Sequence, residues 1–86
     1  MLFIFPYDQQ LSFWMKNTLI PLSVAYIAAD GEIKEIHDMT PQSLAAIESS
    51  HSVRYALEVN QGLFGRWGAS VGDRVTLPPN LPTASE

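Results

Sequence analysis

The sequence predicts a mainly β domain, a β-rich α+β fold built as a small barrel or sandwich of about six short strands with one or two short helices. Three observations predict it. Val53, Tyr55, Leu57 and Val59 alternate with Arg54, Ala56, Glu58 and Asn60, the two-residue period of a strand with unlike faces. Asp30-Gly31 separates two β-rich runs and is a strong hairpin signal. Glycines and prolines break the remaining chain into short pieces, with no repeat and no low-complexity tract.

The elements follow in order. Leu2–Phe5 reads as a short strand ended by Pro6, with a polar turn over Tyr7–Gln10. Ser12–Met15 is a second strand that Pro21 confines to an edge or a bend. Ser23–Ala28 runs into the Asp30-Gly31 turn and Glu32–His37 returns from it. There Ile33 and Ile36 stand three apart, which breaks alternation and indicates a bulge. Thr40-Pro41 fits a helix start, with Leu44, Ala45, Ala46 and Ile47 as its candidates for burial. After the Val53–Val59 strand, Asn60 fits an N-cap, Leu63, Phe64 and Trp67 share one helical face, and Gly68 fits a left-handed exit. Val71–Leu77 reads as a turn and a last strand. The domain is expected to span residues 1–77, with a proline-rich, disordered tail over 78–86.

Eighty-six residues hold one domain with one modest core. Charged residues make up only 16% of the chain against 47% hydrophobic, so part of the surface is expected to be covered. The net charge is −4 and the five cations are scattered, which excludes a basic stripe for nucleic acid. With no cysteine there are no disulfides or thiolate sites. The opening Leu-Phe-Ile-Phe is too short for a signal peptide, and no run reaches membrane-span length. Location follows from what the gene encodes: periplasmic or extracellular if a signal sequence precedes Met1, cytoplasmic otherwise.

The polar residues of interest sit in Ser12–Leu22, where Lys16 and Asn17 interrupt an apolar run. Burying an unpaired amide costs roughly 2–7 kcal/mol, and a charge costs more, so both groups need partners or a ligand. One reading has Lys16 reaching a carboxylate, Glu58 first, with Asn17 bonded to backbone. The other makes Trp14, Lys16 and Asn17, with Glu58 and His37 nearby, a pocket for a small polar or anionic ligand. His37 and His51 with Glu35, Asp38, Glu48 and Glu58 supply ligand types for zinc without a metal-site spacing. Glu35 and His37 can share a strand face, while Asp30, Glu32 and Glu35 read as solvated hairpin carboxylates. Ser49-Ser50-His51-Ser52 lacks a nucleophile elbow and reads as a surface loop. No motif calls for a cofactor, a catalytic residue or a metal.

Met-Leu-Phe-Ile-Phe-Pro (1–6), Phe-Trp-Met-Lys-Asn-Thr-Leu-Ile-Pro-Leu (13–22), Ala-Asp-Gly (29–31), Glu-Ile-His (35–37), Arg-Tyr-Ala-Leu-Glu-Val-Asn (54–60) and Val-Gly-Asp-Arg-Val (71–75) occur in this order. Together they resemble the domain of unknown function 192 family over residues 1 to about 77. The resemblance implies a small β domain, often exported in bacteria, without an established activity. Two features depart from it. Ser23 stands where the family usually carries Asp after the Pro-Leu pair, and members usually carry an N-terminal strand and a short helical segment ahead of Met-Leu-Phe, the motif at which this sequence begins. Leu2–Phe5 is therefore expected to present an open sheet edge, through which residues 2–5, including Phe3 and Phe5, pair a homodimer. The readings that follow are a non-catalytic ligand-binding module, an interaction protein assembling by its strand edge, and, third, a hydrolase or metal-dependent enzyme.

Overall fold

A computed structural model describes residues 1–76. The tail expected over residues 78–86 lies outside the described residues, as does Leu77. Six strands and one short helix follow in the order β1 (Leu2–Gln9), β2 (Ser12–Phe13), β3 (Leu22–Ile27), β4 (Ile33–Met39), β5 (Ile47–Glu48), β6 (Val53–Asn60) and α1 (Leu63–Arg66). They form a four-stranded antiparallel sheet in the order β1-β6-β3-β4 and a two-stranded ribbon of β2 and β5. The fold is strand-rich as the sequence indicates, but the sheet stays open: β1 and β4 are its edges, so the barrel form is not closed.

The middle of the sheet has no water on either side. Val24, Ala25, Tyr26 and Ile27 of β3 are all fully buried. Val24 and Tyr26 pack with Phe5, Leu11, Met15, Met39 and Ala56, the face covered by the β2–β5 ribbon and the segment around Met15. Ala25 and Ile27 pack on the other face with Ile33 and Phe64, flanked by Ile36, Leu57 and Val75. The alternation of β6 therefore sorts its residues between two covered faces rather than between core and solvent, and its small Ala56 is fully buried.

The local signals hold where backbone geometry enforces them. Tyr26 pairs with Glu35 but Ile27 pairs with Ile33, so Lys34 is one extra residue on β4. This bulge brings Ile33 and Ile36 into the same cluster despite their odd spacing. The Asp30-Gly31 turn closes with Gly31 N donating to Ala28 O at 2.9 Å and Glu32 N donating to Asp30 Oδ1 at 2.9 Å.

Other expectations are corrected. β1 continues past Pro6 to Gln9 with a register shift after Ile4, which an edge strand permits because one of its sides needs no N–H. Thr40–Ser50 contains no helix. It turns at Pro41 and then forms β5 against β2, leaving Leu44 exposed and Ile47 partly buried. Asn60 ends β6, and the helix starts instead at Gly62 in a left-handed conformation without a side-chain cap. Phe64 is the buried aromatic of this turn, and Trp67 lies outside the core at 60% exposure, its ring edge-on to Phe64. A four-residue helix has room for one inward anchor, and Phe64 takes it. Residues 71–76 make a single bridge, Arg74 to Glu32, in place of a last strand.

Gly31 gives the sharpest backbone test. Its φ is +92°, and a Cβ added there would stand 2.3 Å from Val75 O, whereas Gly62 at φ +94° has open space. Gly31→Ala is expected to lose about 1–3 kcal/mol of stability, and clearly more than Gly62→Ala, when both are compared by urea unfolding.

Candidate functional site

The β3–β4 register sets Glu35 opposite Tyr26 and His37 opposite Val24, so the two polar side chains share one face. Glu35 is 9% exposed, not a solvated hairpin carboxylate as its sequence position suggests. Its Oε1 accepts from His37 Nε2 at 2.8 Å. Its Oε2 accepts from Ser50 N at 2.8 Å, His51 N at 3.0 Å and His51 Nδ1 at 2.8 Å. A carboxylate accepts only, so both imidazole nitrogens facing it carry protons. Burial pushes the Glu35 carboxyl up, but the bonds from His37, His51 and the two backbone amides outweigh it and hold the group at about 2. Tyr26 lies edge-on to His37 at 5.7 Å and donates its hydroxyl to Ile47 O at 2.5 Å. Burial, with nearby Glu35, keeps this phenol protonated well above its ordinary range.

This arrangement is a tie between β4 and the segment entering β6, and it engages both histidines. Among the described residues no group of three or more His, Cys, Asp or Glu is placed to hold a metal ion. Ser49, the serine with the deepest burial in the 49–52 run, accepts from Leu11 N and donates to His51 O, both at 2.8 Å. Its hydroxyl is thus committed to backbone. Residue order announced Glu35 and His37 at i and i+2; nothing local pointed to His51.

The Ser12–Leu22 stretch solves its polar problem differently from the ion pair expected. Met15 takes the inward position at 2% exposure, and the following turn, with Thr18 N donating to Met15 O at 3.0 Å, carries Lys16 and Asn17 outward. Among the described residues Lys16 has no carboxylate within ion-pair distance; its Nζ lies 5.5 Å from the Trp14 ring centre. Glu58 sits across β3 from His37, both opposite Val24, and burial raises its carboxyl. Arg54 pairs with Asp8 of β1 at 2.9 Å. The structure thus brings Trp14 and Lys16 together with Asn17 in one turn. It sets His37 and Glu58 on the sheet face that this segment covers, without a bond to Lys16 among the described residues.

Beside this turn runs a second loop, joined to it by Gln42 N donating to Thr18 O at 3.0 Å. Together the two loops expose Trp14 (56%), Leu19 (75%), Ile20 (55%) and Leu44 (70%). Residues 9–29 and 40–46 contain one charged side chain, Lys16.

Fold and surface together define a small open β-sheet domain with a mixed apolar and cationic rim. The chain belongs to the domain of unknown function 192 family (Uncharacterized ACR), whose pattern it matches over residues 1–77. Two solved structures are similar to it. One, from Sinorhizobium meliloti 1021 and described as a proposed transcription regulator, is 47% identical with a TM-score of 0.82 over 86% of this chain. The other, a protein of unknown function from Novosphingobium aromaticivorans DSM 12444, is 29% identical with a TM-score of 0.83 over 90% of this chain. This chain spans 58% and 56% of the length of those two proteins. No curated protein matches it. No helix among the described residues is long and apolar enough to cross a membrane.

The Glu35 tie has a signed pH consequence. Its folded value of about 2 lies below the ordinary 4.5, so its contribution is complete above pH 4.5 and is lost as pH falls toward about 2. In Glu35→Gln an amide NH2 must face donors. The variant is expected to lose about 1–3 kcal/mol near neutral pH, with a flatter stability profile across that acid window, measured by urea unfolding as a function of pH.

Proposed function

We propose that the chain is a non-catalytic binding module that holds an anionic group at Lys16 against the Trp14 face. The observation that carries this reading is the rim itself: one ammonium without a carboxylate partner among the described residues, set beside four large exposed apolar side chains. Exposed apolar clusters of this kind mark contact surfaces. An ammonium over an aromatic face retains donors for a carboxylate or phosphate. Asn17 adds a directional amide, and Glu58 and His37 remain in the proposal as the polar groups of the sheet face beneath. The favoured ligand is a small anion with an apolar body, since its two halves match the two halves of the rim.

The label on the Sinorhizobium protein does not supply a better reading. Lys34, Arg54 and Arg74 are paired with Glu32, Asp8 and Asp30, so three of the five cations face carboxylates instead of forming a phosphate track. Among the described residues a catalytic reading lacks a free nucleophile–base pair around Ser49 and the histidines, which are engaged as described.

Calorimetric titration with octanoate, against octylamine as the charge-reversed control, tests the proposal. Octanoate is expected to bind and octylamine not to. Lys16→Met is expected to weaken octanoate by about tenfold while the unfolding midpoint stays within experimental scatter. Equal binding of both probes, or no change in Lys16→Met, would overturn the assignment.

A second reading rests on β1, which among the described residues has β6 as its one hydrogen-bonded neighbour. Phe5 is spent in the core and Phe3 packs 5.1 Å from Phe13, so an edge-to-edge homodimer would use the β1 backbone rather than these rings. An interface of at least roughly 1,000 Å² is required for a stable pair. Light scattering after size exclusion at micromolar concentration distinguishes that dimer from a monomer.

A further inference from the structure

On the sheet face opposite the Lys16 rim, an open groove of about 580 Å³ runs between the start of β3, the end of β4 and the turn leading into α1. Pro21, Ile36, Phe64 and Ala69 form its apolar walls, and Ser23, Asp38 and Gln61 its polar side chains. The volume falls within the range of small-molecule sites. What distinguishes it is the sense of its hydrogen bonding. Ser23, 2% exposed, donates its one hydroxyl proton to Asp38 Oδ1 at 2.6 Å. Gln61 Nε2 is turned to Leu22 O at 3.4 Å, which leaves its carbonyl oxygen as the end without an assigned partner. Asp38 Oδ2 has no bond, and Asp38 no ion pair, among the described residues. The polar side chains of the groove therefore present acceptors and a negative charge, with no cationic side chain in the lining.

We propose that this groove binds a small primary ammonium group, with Asp38 as its counter-ion, Gln61 as a second acceptor and the Phe64 wall against its carbon body. A compact ammonium has donors for both acceptors at once, and a charge-assisted bond to a carboxylate is about twice as strong as a neutral one. The buried Ser23 hydroxyl bonds one carboxylate oxygen, which leaves the other to accept from the ligand. This site is independent of the anion site proposed at Lys16, which lies on the other face.

The test is a ¹H–¹⁵N chemical-shift titration with ethanolamine at neutral pH, with acetate as the charge-reversed control. Ethanolamine is expected to give saturable shifts at the amides of Ser23, Asp38, Gln61 and Phe64. Asp38→Asn is expected to weaken them at least about tenfold; Asp38 is exposed, and Asn keeps an oxygen for Ser23, so this variant stays folded. Lys16→Met is expected to leave the titration unchanged. An absence of saturable shifts, an equal response to acetate, or undiminished binding in folded Asp38→Asn overturns the proposal.

Discussion

The structure depends on the exclusion of water from both faces of β3. From Ser23 to Ile27 that strand is between 0 and 2% exposed, a condition more usual for a central strand with helices on both sides. Here α1 is four residues long. Covering two faces then falls to irregular chain: the β2–β5 ribbon and the segment around Met15 on one side, Phe64 and residues 69–75 on the other. Irregular chain brings backbone donors into the interior, and each of them needs an acceptor. Ser49 Oγ meets that need for Leu11 N, Glu35 for Ser50 N and His51 N, and Ile47 O takes the Tyr26 hydroxyl. The polar bonds inside this protein are thus a consequence of its apolar constraint.

That order of causes decides which residues are available for function. Glu35, His37, His51 and Ser49 have the composition of a hydrolytic or metal site, yet each is committed to holding cover against sheet. Groups left over from this task lie at the periphery: Lys16 and Asn17 on one side, Asp38 and Gln61 on the other. The two sides differ in sign: among the described residues, a cation without a carboxylate partner lies beside apolar loops, and a carboxylate without a cationic partner lies in a groove.

Ser23 illustrates how closely the second face is adjusted. The family resemblance calls for Asp at this position. In this chain a carboxylate there would stand beside Asp38 on the adjacent strand, in the place of a hydroxyl 2.6 Å from it, and like charges that close, one of them buried, disfavour ionisation of the pair. Serine instead supplies the proton that orients Asp38.

The sequence by itself determined what local geometry controls. Alternation along Val53–Val59 placed β6, Asp30-Gly31 placed the β3–β4 turn, and the odd spacing of Ile33 and Ile36 exposed the bulge, because a two-residue period and a tight turn involve only neighbouring residues. It also marked Trp14, Lys16 and Asn17 as polar groups needing an explanation. Tertiary structure decided the explanation: Met15 is the side chain that turns inward, so Lys16 reaches water and needs no buried Glu58. It likewise chose Phe64 over Trp67 as the anchor of a helix with room for one, joined β2 to β5 across more than thirty residues, and brought His51 to Glu35. Those choices depend on which face a segment meets after the chain has closed on itself, and contacts between residues far apart in sequence leave no periodic trace to read.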